Sequence, residues 1–402
     1  MAHVHIHVEG LGPAGAAFAL RALERGHHVT ATEPKWPELS WPATYGVLEA
    51  DVPEWAEKWF YPPHDVTVHT PTHRVLPYRY RMMNKSALLG DVRLATEQGL
   101  LTVSAATSHT AHADIVICSH GATRTDIALF QLAVGYVFAS SARTFSSFDA
   151  HPHPDIDFRW HQPEPRFMDW RKTSNASEFP PSFLYIQPVE DGLLIEETIL
   201  VTHLQPHEQL DELKRRLHQR LECPEFRDFT RSAKITREEE VIIPMATRAR
   251  AWYRPTTVVD GKRQFYFGAN GGLIHPATGY SVGASLNAVD ETLDFIAGKQ
   301  TTLARLGAVF QRELAYWLRQ IGGELIARAD HSTLADFFDC FFRLPAPQQL
   351  AYLTGHSGVE VMKTMWALRR EAGFNHPFLQ PLWKNPRSVY RSVKRRIQHG
   401  GD

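Results

Sequence analysis

Gly10–Leu11–Gly12–Pro13–Ala14–Gly15 follows residues 4–8, which read as a short strand, and precedes a helical pattern of Ala16, Ala17, Leu20 and Leu23 that ends near Gly26. Residues 28–32 then read as a second strand closing on Glu33. Strand, glycine turn, helix and strand in this order form the opening unit of a dinucleotide-binding fold. Glycine tolerates positive φ and leaves no Cβ between backbone and ligand. The helix that starts at Pro13 and Ala14 aims its free N–H groups at a pyrophosphate. Glu33 stands 23 residues after Gly10, where a carboxylate accepts hydrogen bonds from ribose hydroxyls.

A second glycine-rich turn lies about 260 residues further on, Gly268–Ala269–Asn270–Gly271–Gly272–Leu273–Ile274–His275–Pro276–Ala277–Thr278–Gly279–Tyr280–Ser281. Two such turns predict a large flat cofactor held at both ends. Gly271, Gly272 and Gly279 are expected to allow close approach, with Thr278 in the same cradle and His275 and Pro276 setting the turn. His275 has two readings, a buried hydrogen-bonded turn residue or a catalytic group. The helix expected over residues 280–297 points its positive end at the same place and favours negative charge there.

Between the turns the pattern changes. Residues 37–81 are rich in Trp, Pro and Tyr and do not read as strand–helix–strand. A helix is expected over residues 85–97 and a buried strand over 113–119. Residues 131–140, 183–187 and 193–200 read as strands, 209–221 as an amphipathic helix, and 266–268 as the strand leading into the second turn. The fold class is α/β, with a Rossmann-like dinucleotide-binding domain, an inserted antiparallel β-sheet for substrate and a helical C-terminal part. The expected division is 1–80, 81–125 and 246–300 for the cofactor, 126–245 for the substrate, 301–382 helical and 383–402 a basic tail.

Composition narrows the function. A net charge of −1 over 402 residues does not suit a nucleic-acid binder. Cys118, Cys223 and Cys340 are too scattered for a zinc spacing or a disulfide framework, and with no apolar run of spanning length or signal peptide the expected location is cytoplasmic. His3, His5 and His7 share one strand face, but nothing else supplies metal-ligand spacing, so no metal is expected. From Trp383 onward, Lys384, Arg387, Arg391, Lys394, Arg395 and Arg396 face the single acid Asp402, with Trp383, Val389, Tyr390 and Val393 interleaved. That tail is either a solvated end or a peripheral anchor on an anionic membrane surface.

Further segments carry a resemblance. Trp41–Pro42–Ala43–Thr44–Tyr45–Gly46–Val47, the strand Gln131–Gly135, Met168–Asp169–Trp170, Phe183–Leu184–Tyr185 with Leu194–Ile195–Glu196–Glu197–Thr198, the run Glu238–Glu239–Glu240 before Ile243–Pro244–Met245, His275–Ser281 and Phe337–Phe338–Asp339–Cys340–Phe341–Phe342 resemble, in order, segments of the lycopene cyclase family. That family has the flavin-binding fold of p-hydroxybenzoate-hydroxylase-like (GR2-type) proteins. After Met245 the chain departs from it, with Ala246–Thr247–Arg248–Ala249–Arg250 where the family has small residues, which puts the polarity of the substrate pocket in question.

The resemblance implies FAD as cofactor, active in its reduced form, with NADPH as the candidate reductant. It implies a redox-neutral cyclisation of an apolar polyene or terpenoid, initiated by an acid. The acid must be protonated near neutrality, which burial achieves by disfavouring the charged form. Glu196 and Glu197 are adjacent, so on a strand they point to opposite faces. Glu196, the first acid of the motif, is expected to carry the proton, with Glu197 near the substrate. Trp41, Tyr45, Trp170 and Tyr185 are candidates for an aromatic wall that favours a cation; ordinary core packing is the alternative. Two other functions remain open, an FAD-dependent monooxygenase or halogenase acting on a hydrophobic natural product, and a non-catalytic pigment carrier. Against the former stand the missing Gly-Asp-Ala at the second turn and the missing Trp-x-Trp-x-Ile motif.

Overall fold

The computed structural model describes residues 4–106, 113–122, 129–139, 163–172, 179–245, 248–257, 262–299 and 302–398. Its first layer is a six-stranded sheet in the order β14-β15-β8-β1-β2-β7. The strands are β1 (His5–Glu9), β2 (His28–Thr32), β7 (Leu101–Ser104), β8 (Ile115–Cys118), β14 (Thr256–Thr257) and β15 (Arg263–Tyr266). All neighbours run parallel except β14 on β15. β1 lies between β2 and β8, so the strand order reverses there and opens a crevice at the strands' carboxyl ends. Helices α1 (Pro13–Glu24), α2 (Lys85–Glu97) and α5 (Val282–Ile296) cover the sheet. Arg21 and Arg25 of α1 pair with Asp290 and Asp294 of α5, tying the first glycine turn to the helix after the second.

The second layer is a seven-stranded sheet in the order β13-β9-β12-β11-β10-β4-β5. Its strands are β4 (Thr67–His69), β5 (His73–Val75), β9 (Leu129–Phe138), β10 (Arg166–Asp169), β11 (Phe183–Val189), β12 (Gly192–Thr202) and β13 (Ile235–Met245). The expected antiparallel insertion is present, and it also recruits β4 and β5 from the Trp- and Pro-rich segment. β3 (Gly46–Leu48) and β6 (Tyr80–Met82) form a small antiparallel pair.

Strand alternation gives this sheet two different faces. Leu132, Val134, Leu193, Ile195 and Ile199 pack under α3 (Pro206–Leu221) and α4 (Pro224–Ser232). Leu194, Leu200, Phe167 and Phe183 face the C-terminal helices α6 (Thr302–Ile326), α7 (His331–Arg343), α8 (Ala346–Leu353) and α9 (Gly358–Ala372). α10 (Pro381–Lys384) and α11 (Pro386–Gln398) close the chain, so the basic tail is helical as far as Gln398.

β1 and β8 are joined tightly around the glycine turn. Gly10 has φ 89, and a Cβ on it would sit 2.7 Å from the Cα of His120. A Cβ on Gly15 would lie 2.1 Å from the Gly10 carbonyl oxygen, so this glycine brings α1 down onto the turn. At Gly12, chain neighbours aside, no atom of the described residues lies within 4 Å of where a Cβ would stand. Gly15→Ala is therefore expected to cost about 1–3 kcal/mol in urea unfolding, while Gly12→Ala stays within about 0.5 kcal/mol of the unmodified chain.

Candidate active site

The two glycine turns meet. A Cβ on Gly268 would stand 3.2 Å from the Cβ of Ala14, and the rings of Phe18 and Phe267 pack edge to face at 5.0 Å behind them. Gly12 caps α1 without a side-chain hydrogen bond, Pro13 takes the first helical position, and no acid occupies the first turn. Those N–H groups are left for an anion, and the open space above Gly12 is where one fits. Glu33 lies buried under the same turn and accepts hydrogen bonds from the N–H of Leu11 (2.9 Å) and of Lys35 (3.1 Å). A carboxylate has about four acceptor sites, so room remains for a ribose hydroxyl. Trp41 donates its indole N–H to the Leu11 carbonyl and braces the turn.

In the second turn the residues divide by role. The buried Oγ1 of Thr278 has no hydrogen-bond partner among the described residues, and Thr278, Gly279, Ser281 and Val282 line the main cavity. Ser281 caps α5 with no side-chain hydrogen bond, which leaves a second free helix N-terminus at the cavity. A Cβ on Gly279 would fall 2.1 Å from Oε1 of Gln131. Gly271 and Gly272, expected against a cofactor, instead admit protein. Their Cβ positions lie 2.5 Å from the Tyr266 carbonyl oxygen and 2.8 Å from Cδ of Arg248. His275 is a turn residue. Its Nδ1 accepts from the Ala277 N–H, its Nε2 donates to the Tyr352 carbonyl, and burial drives its pKa far below the usual histidine range. Pro276 holds the turn against α6, where a Cβ on Gly323 would meet its carbonyl oxygen at 2.5 Å. His5 and His7 bond to Thr30 and Thr32 of β2; His3, Ala246 and Thr247 lie outside the described residues.

One cavity of about 460 Å³ runs from this turn between the second sheet and the C-terminal helices. Its walls include Tyr45, Tyr80, Phe167, Phe183, Leu194, Tyr280 and Phe338, with Glu196 among them. Glu196 is buried and accepts a hydrogen bond from the Thr198 hydroxyl at 2.7 Å. Burial above all, then the nearby Glu239, pushes its carboxyl up to about 8. The phenols of Tyr80, Tyr185 and Tyr280 are held protonated by burial, and the Tyr185 hydroxyl donates toward that of Tyr80 at 3.4 Å. The cavity therefore combines a neutral carboxylic acid with electron-rich ring faces.

Two expected substrate contacts fall elsewhere. Glu197, one residue on, faces α3, where Arg220 grips both its oxygens at 2.7 and 3.1 Å and Ser182 donates at 2.6 Å. The period of two that turns Glu196 inward turns Glu197 out of the cavity. Trp170 packs behind the wall, stacked on Phe338 (5.4 Å) and tilted on Phe183 (5.1 Å). Tyr45 and Tyr185 line the cavity as expected. Arg248 and Arg250 do not line it. Arg248 lies over the Tyr316 ring at 4.0 Å and pairs with Glu313, and Arg250 donates to the Arg254 carbonyl.

Glu239 has a part in the site that sequence reading did not assign. Glu196 of β12 and Glu239 of β13 both register with Gly135 of the intervening β9. Gly135 puts no side chain between them, and its Cβ position is 3.1 Å from Cβ of Glu196. Glu239 is held by Arg237 at 2.5 Å and by the N–H and hydroxyl of Thr44. The run Glu238–Glu239–Glu240 was visible in the sequence, but its partner across β9 was not. Glu239→Gln is expected to move the alkaline limb of the activity profile toward lower pH. Stability supplies a second check. The Glu196 carboxyl of the folded protein keeps its proton up to about 8, against 4.5 for an ordinary glutamate. Between those values the unfolded chain binds fewer protons, so stability falls as pH rises through the window. Glu196→Gln removes that loss, and its thermal midpoint is expected to exceed the wild-type value at pH 8 and to match it at pH 4.

Residues 6–359 match the family model described as lycopene cyclase protein. Similar curated proteins include the lycopene beta cyclase of Synechococcus elongatus, 27% identical over 91% of this chain and 92% of that protein. An uncharacterized carotenoid cyclase of Deinococcus radiodurans is 26% identical over 86% of this chain and 85% of its own. The chloroplastic lycopene beta cyclase of Arabidopsis thaliana is 25% identical over 85% and 72%. Among solved structures, the halogenase PltM superposes with a TM-score of 0.51 at 11% identity, over 98% of this chain and 95% of that one. The flavin-dependent brominase Bmp2 gives 0.50 at 12% identity, over 99% and 100%. These two share the fold. The match of the family model across most of the chain shows that the protein belongs to the lycopene cyclase family.

Proposed function

We propose that the protein cyclises the end of an apolar, carotenoid-like polyene without net oxidation or reduction, with Glu196 as the acid and FAD as its cofactor. The observation that carries this reading is a buried carboxyl, its pKa pushed up by burial, in an apolar, aromatic cavity that also reaches the second glycine turn. The names of the similar proteins, lycopene beta cyclases, support the substrate class.

The chain's residues fit the cofactor. The turn around Gly10, Gly12 and Gly15 with the start of α1 would hold its pyrophosphate, Glu33 its ribose, and Thr278, Gly279 and the start of α5 its ring. Reduced FAD bound there would supply negative charge to stabilise a nearby cation, with NADPH as candidate reductant.

Glu196 gives its proton to the terminal alkene carbon. The positive charge develops on the adjacent carbon, and an internal double bond of the same chain attacks it and closes the ring. A proton then leaves a ring carbon, and the Glu196 carboxylate is placed to take it back. Atoms and electrons balance, so the product is an isomer. The Tyr80, Tyr185 and Tyr280 rings stabilise the cation by their π faces and, being buried, offer no phenolate to capture it. The apolar walls keep out water, which would otherwise quench the cation to an alcohol.

Anaerobic incubation of protein carrying pre-reduced FAD with lycopene in detergent tests the reading. The expected product has unchanged mass and new chromatographic retention. Glu196→Gln should retain flavin and lose about 10²–10⁴-fold in turnover. Wild-type turnover in that variant, or a product that gains oxygen only in air, would replace this proposal with the monooxygenase reading.

A further inference from the structure

We propose that the face formed by the outer side of α9, the segment after it and α10 docks on the surface of a bilayer containing anionic phospholipid, and that the cavity loads its substrate there. The inference rests on the cyclase reading only for the identity of what enters.

The cavity reaches the C-terminal helices at Met365, Arg369 and Leu382. Around that end stand Met362, Trp366, Phe374 and Trp383, each 46–62% exposed. Met362 and Trp366 are one turn apart on α9, on the side opposite the buried Val361, Thr364 and Leu368. The rings of Phe374 and Trp383 stack at 5.6 Å. Single exposed apolar residues are ordinary, but a cluster of large ones at the end of an apolar cavity marks an interaction surface. Tryptophan favours the headgroup level of a membrane, where one end of the ring is wet and the other apolar.

Charge selects the partner. The Arg369 guanidinium lies 3.5 Å from the Phe374 ring centre, 4.7 Å from that of Trp383 and 4.9 Å from that of Trp366, and its Nε is buried with no hydrogen-bond partner among the described residues. A guanidinium framed by exposed rings suits a lipid phosphate. Residues 372–398 contain no Asp or Glu, while Lys384, Arg387, Arg391, Lys394 and Arg395 are exposed. Of the apolar residues interleaved in the tail, Trp383 and Tyr390 are exposed and the two valines are not. Val389 and Val393 are buried, and Arg396 pairs with Glu324 of α6 at 2.8 Å, so α11 is fastened to the protein and contributes charge. Among the described residues no helix is long and apolar enough to cross a membrane, which fits attachment by a surface.

The test is flotation of the flavin-loaded protein with vesicles of phosphatidylcholine alone or mixed with phosphatidylglycerol. Wild type should float with the mixed vesicles, less with the neutral ones, and lose binding as salt rises. The double variant Trp366→Ser/Trp383→Ser should bind at least about tenfold more weakly. Neither residue lines the cavity, so turnover of lycopene in detergent should stay at the wild-type rate while turnover from vesicles falls. Thermal unfolding and flavin content verify that the variant folds. Wild type that fails to float, a variant that floats equally well, or a face that captures another protein and not vesicles overturns the proposal. Flotation needs no turnover, so it fails or holds independently of the cyclase reading.

Discussion

The pairing of Glu197 with Arg220 and Ser182 fixes the face that β12 turns to the cavity. A strand that alternates strictly cannot place two neighbouring acids on one side. With Glu197 locked under α3, the charged group that acts on Glu196 among the described residues is Glu239, across Gly135. Burying a carboxyl among Tyr and Phe rings disfavours its charged form, and a second acid nearby adds to the effect. The ion pair on one face thus sustains the neutral acid on the other. A one-residue slip of β12 would bury the wrong glutamate and expose the right one to an arginine.

The same economy governs the glycine turns. Gly10 and Gly15 let β1, β8 and α1 close on one another, whereas Gly12 leaves open space among the described residues. Gly271 and Gly272 serve the second turn by accepting Tyr266 and Arg248, so a run of glycines there is only partly about a cofactor. Arg248 fills space beside Gly272 and spends its charge on Glu313 and its plane on Tyr316. The departure after Met245 therefore remodels the flank of the turn and leaves the substrate cavity apolar.

The second glycine turn lies at the end of the cavity, and the cavity's chemistry rests with the side chains that line it. Here those side chains are an acid, a hydroxyl from Thr198 and aromatic rings, the groups that the proposed proton transfer would use. The C-terminal helices complete the cavity through Phe337, Phe338, Phe341 and Phe342 of α7 and carry its end to a surface of exposed rings and arginines.

The sequence by itself determined the local pieces. Glycine spacing, a following helical period and a terminal acid specified the first strand–turn–helix–strand unit, and β2 and α2 fall on residues 28–32 and 85–97 as read. Alternation also determined that only one of Glu196 and Glu197 faces the cavity. Tertiary structure decided what depends on contacts distant in the chain. The recruitment of β4 and β5 to the second sheet, the register that sets Glu239 opposite Glu196, the withdrawal of Trp170 behind Phe183 and Phe338, and the fastening of α11 on α6 each join residues far apart in sequence. No local periodicity encodes such a partner, because a strand or helix reports which of its faces is apolar and not which surface will cover it.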